Sequence, residues 1–281
     1  MINSKYSLFD GAIGSYLYQK GFSYPISKLN IENSEIILDL HKEYLDAGVD
    51  IITTNSFSAD LSILSKYNLE DLIYEINFQS VKIAQKAIDG YNNKLIAGSI
   101  GPGFFKPEEI IKDRELLKNS VSIQSKALID GGVDIILLET ILSLVGAEIS
   151  LREIKKNIEK SSKEIKILLS FSPESSIDNN GLEKLLKKYD IESFGFNCGK
   201  DFNSFTNIFI NKNRDIKMNL MFPSAGIPKN KNDQLLYPID QSQYIKEFSK
   251  FIKNENLKFI GGCCGTTPNY IRNLKKFLED L

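Results

Sequence analysis

The chain has 281 residues, with 35 Lys plus Arg against 36 Asp plus Glu, so no global field favours nucleic acid or an acidic surface. No apolar run approaches the roughly 18 residues of a membrane span, and the opening MINSKYSLFDGAIG lacks the apolar stretch of a secretory signal, which predicts a cytoplasmic protein. Three cysteines are too few for a disulfide scaffold and leave an odd thiol, so metal binding or redox chemistry becomes the better question.

Short runs rich in Ile, Leu and Val alternate along the chain with longer segments of helical spacing. The first run, YSLFD (6–10), precedes SEIILDLHKEYLDAG (34–48), which opens on a Ser cap and closes on Gly. VDIITTN (49–55) leads to DLIYEINFQSVKIAQKAIDG (71–90), KLIAGSI (94–100) to a helix over 113–131, and VDIILLE (133–139) to one over 143–160. IKILLSF (165–171), ESFGFNC (192–198), IKMNLMF (216–222) and LKFIGGC (257–263) follow, with helices over 181–189, 203–212, 241–254 and 268–280. Eight strands alternating with eight helices, and no Pro/Gly/Ser-rich linker, predict one α/β domain over residues 1–281. The expected architecture is a closed (β/α)8 TIM barrel, with an open doubly wound sheet as runner-up.

In such a barrel function collects at the carboxyl ends of the strands. The unusual residues fall there: Asp10 and Gly11, Thr54 and Asn55, GSIGPG (98–103), Glu139 and Thr140, Asn197 and Cys198, Pro223, and the adjacent pair Cys263 and Cys264. The predicted strands ending at Cys198 and Cys263 are next-but-one neighbours, so all three thiols share one rim. Three thiolates on a tetrahedral zinc leave one position open, the arrangement of a catalytic site. Gly261, Gly262 and Gly265 give the backbone room to aim adjacent side chains inward. The competing readings are three small buried apolar residues, a strained vicinal disulfide, and a closed structural zinc site. A closed site needs a fourth ligand, and the single histidine, His41, falls inside the first predicted helix. DLHKEY (39–44) resembles a corrinoid-binding Asp-x-His-x-x-Gly pattern but carries Tyr44 where Gly is needed, so His41 is expected to be a packed helix residue. With no other histidine, Ser-His-Asp and Cys-His catalysis are excluded.

The stretches DGAIGSYL (10–17), AGVDIITTNSF (47–57), GSIGP (98–102), GVDIILLET (132–140), GFNC (195–198), PSAGIP (223–228) and GGCCGTTP (261–268) run in order over nearly the whole chain. Together they resemble the zinc-dependent homocysteine S-methyltransferases, closest to the homocysteine domain of cobalamin-dependent methionine synthase. The resemblance implies a (β/α)8 barrel with Zn2+ held by Cys198, Cys263 and Cys264, L-homocysteine as fourth ligand, and methyl transfer to its sulfur to give methionine. It also implies that Asp10 and Glu139 bind the substrate ammonium. The backbone amides of Gly11 and Ala12 are expected to take the substrate carboxylate, while Asn55, Ser99 and Asn197 either shape the pocket or tie loops together.

The segments around 29–60 and 67–77 resemble the methionine-synthase branch, which suggests a methylcorrinoid donor supplied by separate proteins. A small sulfonium such as S-methylmethionine is the alternative donor, and a barrel that binds zinc or an amino acid without turnover is a third reading. GSIGPGFFKP (98–107) lacks the Thr-Gly that often follows Gly-Pro in the family, and SPESSIDNNG (172–181) is short; both loops are expected near the donor's approach.

Overall fold

The computed structural model describes residues 5–103, 107–175, 177–191, 193–209, 217–231 and 234–281. Eight parallel strands form one sheet: β1 Ser7–Leu8, β2 Ile51–Thr53, β3 Leu95–Ile100, β4 Ile135–Ile141, β5 Lys166–Phe171, β6 Ser193–Cys198, β7 Leu220–Pro223 and, after an intervening hairpin, β10 Phe259–Ile260. The order is β1-β10-β7-β6-β5-β4-β3-β2. A parallel bridge between Phe9 and Ile51 joins the two ends, with Asp50 N donating to Leu8 O at 2.8 Å and Asp10 N to Ile51 O at 3.2 Å. The sheet therefore closes into a (β/α)8 barrel, and the open-sheet alternative is set aside.

Side chains alternate between the two faces of each strand, and the alternation divides the apolar residues into two sets. Phe9, Ile51, Ala97, Ile135, Leu137, Leu168, Leu220 and Phe222 pack together inside the barrel. The other parity, including Leu8, Ile52, Ile96, Ile136, Leu138, Leu169, Phe196 and Met221, packs outward against the helices. At Gly195 of β6 the inner layer has no room, since a Cβ there would lie 1.9 Å from the carbonyl oxygen of Leu220. Continuing the inward parity one step towards the carboxyl ends replaces apolar residues with Thr53, Ser99, Glu139, Ser170 and Asn197. The same strands thus carry an apolar plug below and a polar floor above.

The expected helices form, with ends moved by one or two residues in most cases: Ser34–Asp46, Ile73–Ile88, Arg114–Gly131, Leu144–Ser161, Asn179–Tyr189 and Pro268–Glu279. The helix expected over 241–254 stops at Phe248, and turns carry the chain on with Phe251 and Ile252 buried. The helix expected over 203–212 is seen as Phe202–Phe209; its last three residues lie outside the described ones, as do Glu192 and Ile216 at the starts of two expected strands. Several elements went unforeseen. They include the short helices Gly14–Gln19 and Leu61–Leu64 and an antiparallel hairpin, β8 Lys229–Lys231 with β9 Gln234–Leu236, beside the mouth. Gln19 Nε2 ties that hairpin down by donating to Leu235 O at 2.6 Å. No described helix is long and apolar enough to cross a membrane.

Candidate active site

The carboxyl ends surround a cavity of about 450 Å³ lined by Asp10, Thr53, Ser99, Glu139 and all three cysteines, with Tyr18, Tyr24 and Phe57 towards the outside. The Sγ atoms of Cys198, Cys263 and Cys264 lie within 4.8 Å of one another, and each residue is half-buried. Three sulfurs on a tetrahedral zinc stand about 3.8 Å apart, given metal–sulfur bonds near 2.3 Å. Small side-chain rotations therefore suffice, and the all-thiolate donor set suits zinc.

Backbone geometry produces this convergence. Cys198 has the parity of an outward residue, yet its φ is +70° and that of Gly199 is +81°, so the chain reverses its pleat and brings the thiol to the mouth. The segment Pro223–Ala225, at the end of β7 between β6 and β10, holds all three cysteine backbones. Ser224 N donates to Cys198 O at 3.0 Å, Cys263 N to Pro223 O at 3.0 Å, and Ala225 N to Cys264 O at 2.8 Å. Of the glycines flanking the pair, only Gly265 uses left-handed backbone, at φ +80°, with the Tyr237 ring 2.3 Å from where a Cβ would sit. Gly261 and Gly262 serve close approach instead, against Phe9 and Thr266. Hydrogen bonds from Cys198 and Cys263 hold the Cys264 thiol well below the usual range, while hydrogen bonds to its two neighbours push Cys263 well above it. Three thiols so close, one of them favoured as the thiolate by its neighbours, make a cluster prepared for a cation.

The two carboxylates sit on the polar floor. Asp10 accepts from Thr53 N at 2.7 Å and from Thr53 Oγ1 at 3.0 Å. Glu139 accepts from the Ser99 hydroxyl on one oxygen and from Asn197 Nδ2, 3.1 Å away, on the other. Burial pushes the Glu139 carboxyl up to about 7, against the Ser99 hydrogen bond and helped by the charge at Cys198. Burial likewise pushes Asp10 well above the carboxylate range, with the nearby Glu139 charge adding to it. Two buried acids whose ionised forms are both disfavoured make a receptor for a cationic group.

The remaining expected residues divide. Ser99 and Asn197 hold Glu139. Asn55 ties loops, its amide donating to Ile26 O at 3.1 Å and Asn30 Oδ1 at 2.9 Å. The Ala12 amide is donated to Thr266 O at 3.1 Å, so the carboxylate role expected for the pair narrows to Gly11. His41 is fully buried, lines neither described cavity, and has no hydrogen-bond partner on either ring nitrogen among the described residues. Of the two loops expected near the donor, Phe104, Phe105, Lys106 and Ser176 lie outside the described residues.

Sequence reading missed Thr53, Tyr44, Thr266 and Tyr237. Thr53 adjoins a noticed residue, and the inward parity of β2 points to it. Tyr44 was weighed only as a mismatch to a motif, yet its hydroxyl donates to Ala12 O at 2.8 Å and reaches Thr266 O at 3.2 Å, joining the Asp10 loop to the cysteine loop. The Tyr237 phenol is pushed up to about 12 by burial and by the cysteine charges, and no local pattern announces its place over Gly265.

A closed parallel barrel with a thiol trio and two buried acids at its mouth defines a barrel enzyme with a metal-capable centre. The homocysteine S-methyltransferase family profile matches residues 7–278, and the chain belongs to that family. It is 23% identical to methionine synthase of Mycobacterium leprae over 285 residues, covering 94% of this chain but only 24% of that protein's length. Crystal structures of the homocysteine methyltransferase MmuM from Escherichia coli share the fold: the metallated form with TM-score 0.73 at 21% identity, and the oxidized form with TM-score 0.74 at 22%. Each comparison covers 98% of this chain and 96% of the other.

Proposed function

We propose that the chain transfers a methyl group to the sulfur of L-homocysteine, giving methionine, with Cys198, Cys263 and Cys264 holding Zn2+. The observation that carries this reading is the juxtaposition of a three-sulfur cluster with a buried carboxylate pair in one cavity. Zinc there would supply the Lewis acidity that lets an incoming thiol shed its proton at neutral pH. The chain's own residues do the rest. Glu139 and Asp10 take the substrate ammonium, which restores to both carboxyls the charged state that burial opposes. The Gly11 amide is assigned the carboxylate. The Phe9, Leu137 and Phe222 side chains beneath the cavity keep water from the reacting sulfur's far side. The sulfur then forms its bond to the methyl carbon as the donor's bond to that carbon breaks.

For the donor, the likeness to methionine synthase supports a methylcorrinoid. A small sulfonium such as S-methylmethionine is the second reading. It is favoured because the described lining holds Asp10, Glu139 and aromatic side chains but no Lys, Arg or His, an environment matched to a cation. The test is a donor panel: zinc-loaded protein with homocysteine and, in turn, methylcobalamin, a methylcorrinoid protein, S-methylmethionine, S-adenosylmethionine and betaine, scored for methionine. Turnover with one donor is expected and identifies its class. Homocysteine binding with proton release, but no methionine from any donor, would replace the enzyme reading with a zinc- and amino-acid-binding barrel.

A further inference from the structure

Asn197 is fully buried at the end of β6, and its side chain reaches both the Glu139 carboxylate and the Cys263 thiol. Its Oδ1 accepts from Thr140 N at 2.8 Å and from Ser170 Oγ at 2.7 Å. Its Nδ2 donates to Thr140 Oγ1 at 2.7 Å and Glu139 Oε2 at 3.1 Å, and lies 3.8 Å from Cys263 Sγ. An amide nitrogen carries two hydrogens, so three acceptors compete for two. Thr140 itself sits at φ +57°, next to the register shift between β4 and β5, and the Asn197 amide holds it there from both its N–H and its hydroxyl.

We infer that Asn197 is a positioning residue that couples recognition of the substrate's amino group at Glu139 to the electron density of the Cys263 sulfur. An ammonium seated on Glu139 satisfies the carboxylate oxygen that otherwise draws an Asn197 hydrogen. That hydrogen is then free to turn towards the sulfur, which as a thiolate is the stronger of the remaining claims on it. The result is that the amine end of the substrate is sensed at the sulfur end. The inference rests on Glu139 being the ammonium site, as proposed above.

The test uses the full chain loaded with cobalt(II), whose thiolate charge-transfer band reports the sulfurs directly. Binding of homocysteine is compared with that of 4-mercaptobutanoate, which lacks the amine. In Asn197→Ala the homocysteine-bound band should move to lower energy while the 4-mercaptobutanoate-bound band moves little, because the N–H donor that turns to the thiolate once the ammonium is seated has gone. The preference for homocysteine over the amine-free thiol should fall roughly tenfold or more, as for loss of a hydrogen bond to a charged group. Asn197→Asp keeps oxygen acceptors for Thr140 N and Ser170 Oγ but has no N–H, so it should reproduce both effects in a barrel whose β4–β6 tie is intact. A merely structural tie predicts neither effect in Asn197→Asp. Unchanged band and unchanged preference in a folded variant would overturn the inference, and so would failure of both variants to fold. Glu139→Gln separates the two levels: if it retains full preference, the ammonium assignment itself is wrong. If it loses preference while the Asn197 variants keep theirs, only the coupling is wrong.

Discussion

The mouth and the helical sheath each bury titratable groups, and burial dominates the behaviour of both. At the mouth, Glu139 is raised to about 7, and hydrogen-bond donors reach both of its oxygens beside an open cavity. In the sheath, on helix Ser34–Asp46, His41 is lowered to about 4 by burial alone, with neither ring nitrogen partnered among the described residues, and it lines neither described cavity. The first is a cost that a ligand in the cavity can relieve, while the second lies away from both described cavities. A strained titratable group marks function only where its surroundings can admit a partner.

The sharpest way to break this contrast is at the thiols, which should dominate activity but not the fold. Cys264→Ala leaves two sulfurs for the metal, and losing a direct ligand should exceed the roughly 100-fold cost of losing an outer partner. Zinc content measured after gel filtration should fall well below one per chain, with methionine formation lost in parallel. Retention of both would refute the assignment of Cys264 as a ligand.

Next comes the pH dependence of stability, where the two regions have opposite signs. His41 binds a proton in the unfolded chain below its ordinary value of 6.5 but in the fold only near 4. Its contribution is therefore present above pH 6.5 and lost as pH falls towards 4, amounting to roughly 3 kcal/mol. In the metal-free chain Glu139 acts the other way: its folded value lies above 4.5, so stability is lost as pH rises through about 7. Denaturant titrations of His41→Leu across pH 4 to 7 should lose the acid-side decline. Those of Glu139→Gln should lose the neutral-side decline. Homocysteine should suppress only the Glu139 trend, and a ligand that also flattened the His41 trend would undo the distinction. On binding itself, Glu139→Gln should raise the homocysteine KM about tenfold or more through the lost charged hydrogen bond. It should change affinity for an amine-free thiol little.

Much of this was open to a reading of the chain, for definable reasons. The ends of apolar runs are a local property, and they placed Asp10, Glu139, Asn197 and all three cysteines on one rim. Hydrogen bonding is not local. Nothing in GFNC says that Asn197 will meet Thr140, 57 residues away, because that contact needs a positive φ at Thr140 and a shifted β4–β5 register. For the same reason nothing local says that Asn55, which lines the cavity, will give its amide to Ile26 O and Asn30 Oδ1, or that the Ala12 amide will go to Thr266 O. The hairpin Lys229–Leu236 escaped because its strands are only three residues each and fully polar in one arm.

The smallest effect tests whether a sheath residue can reach the mouth at all. Tyr44 shares helix Ser34–Asp46 with His41, is fully buried, and differs in that its polar atom has partners, the carbonyls of Ala12 and Thr266. Tyr44→Phe keeps the ring and removes only the hydroxyl, so stability should fall by about 1 kcal/mol, or roughly 2–4 °C in Tm. The two carbonyls belong to the loops that carry Asp10 and Cys263, so freeing them should also weaken homocysteine binding severalfold while zinc is retained. A Tm loss with unchanged binding would confine Tyr44 to the sheath beside His41. Weakened binding would place it with the mouth, showing that the boundary between the two regions runs through a single helix and follows which polar atoms find partners.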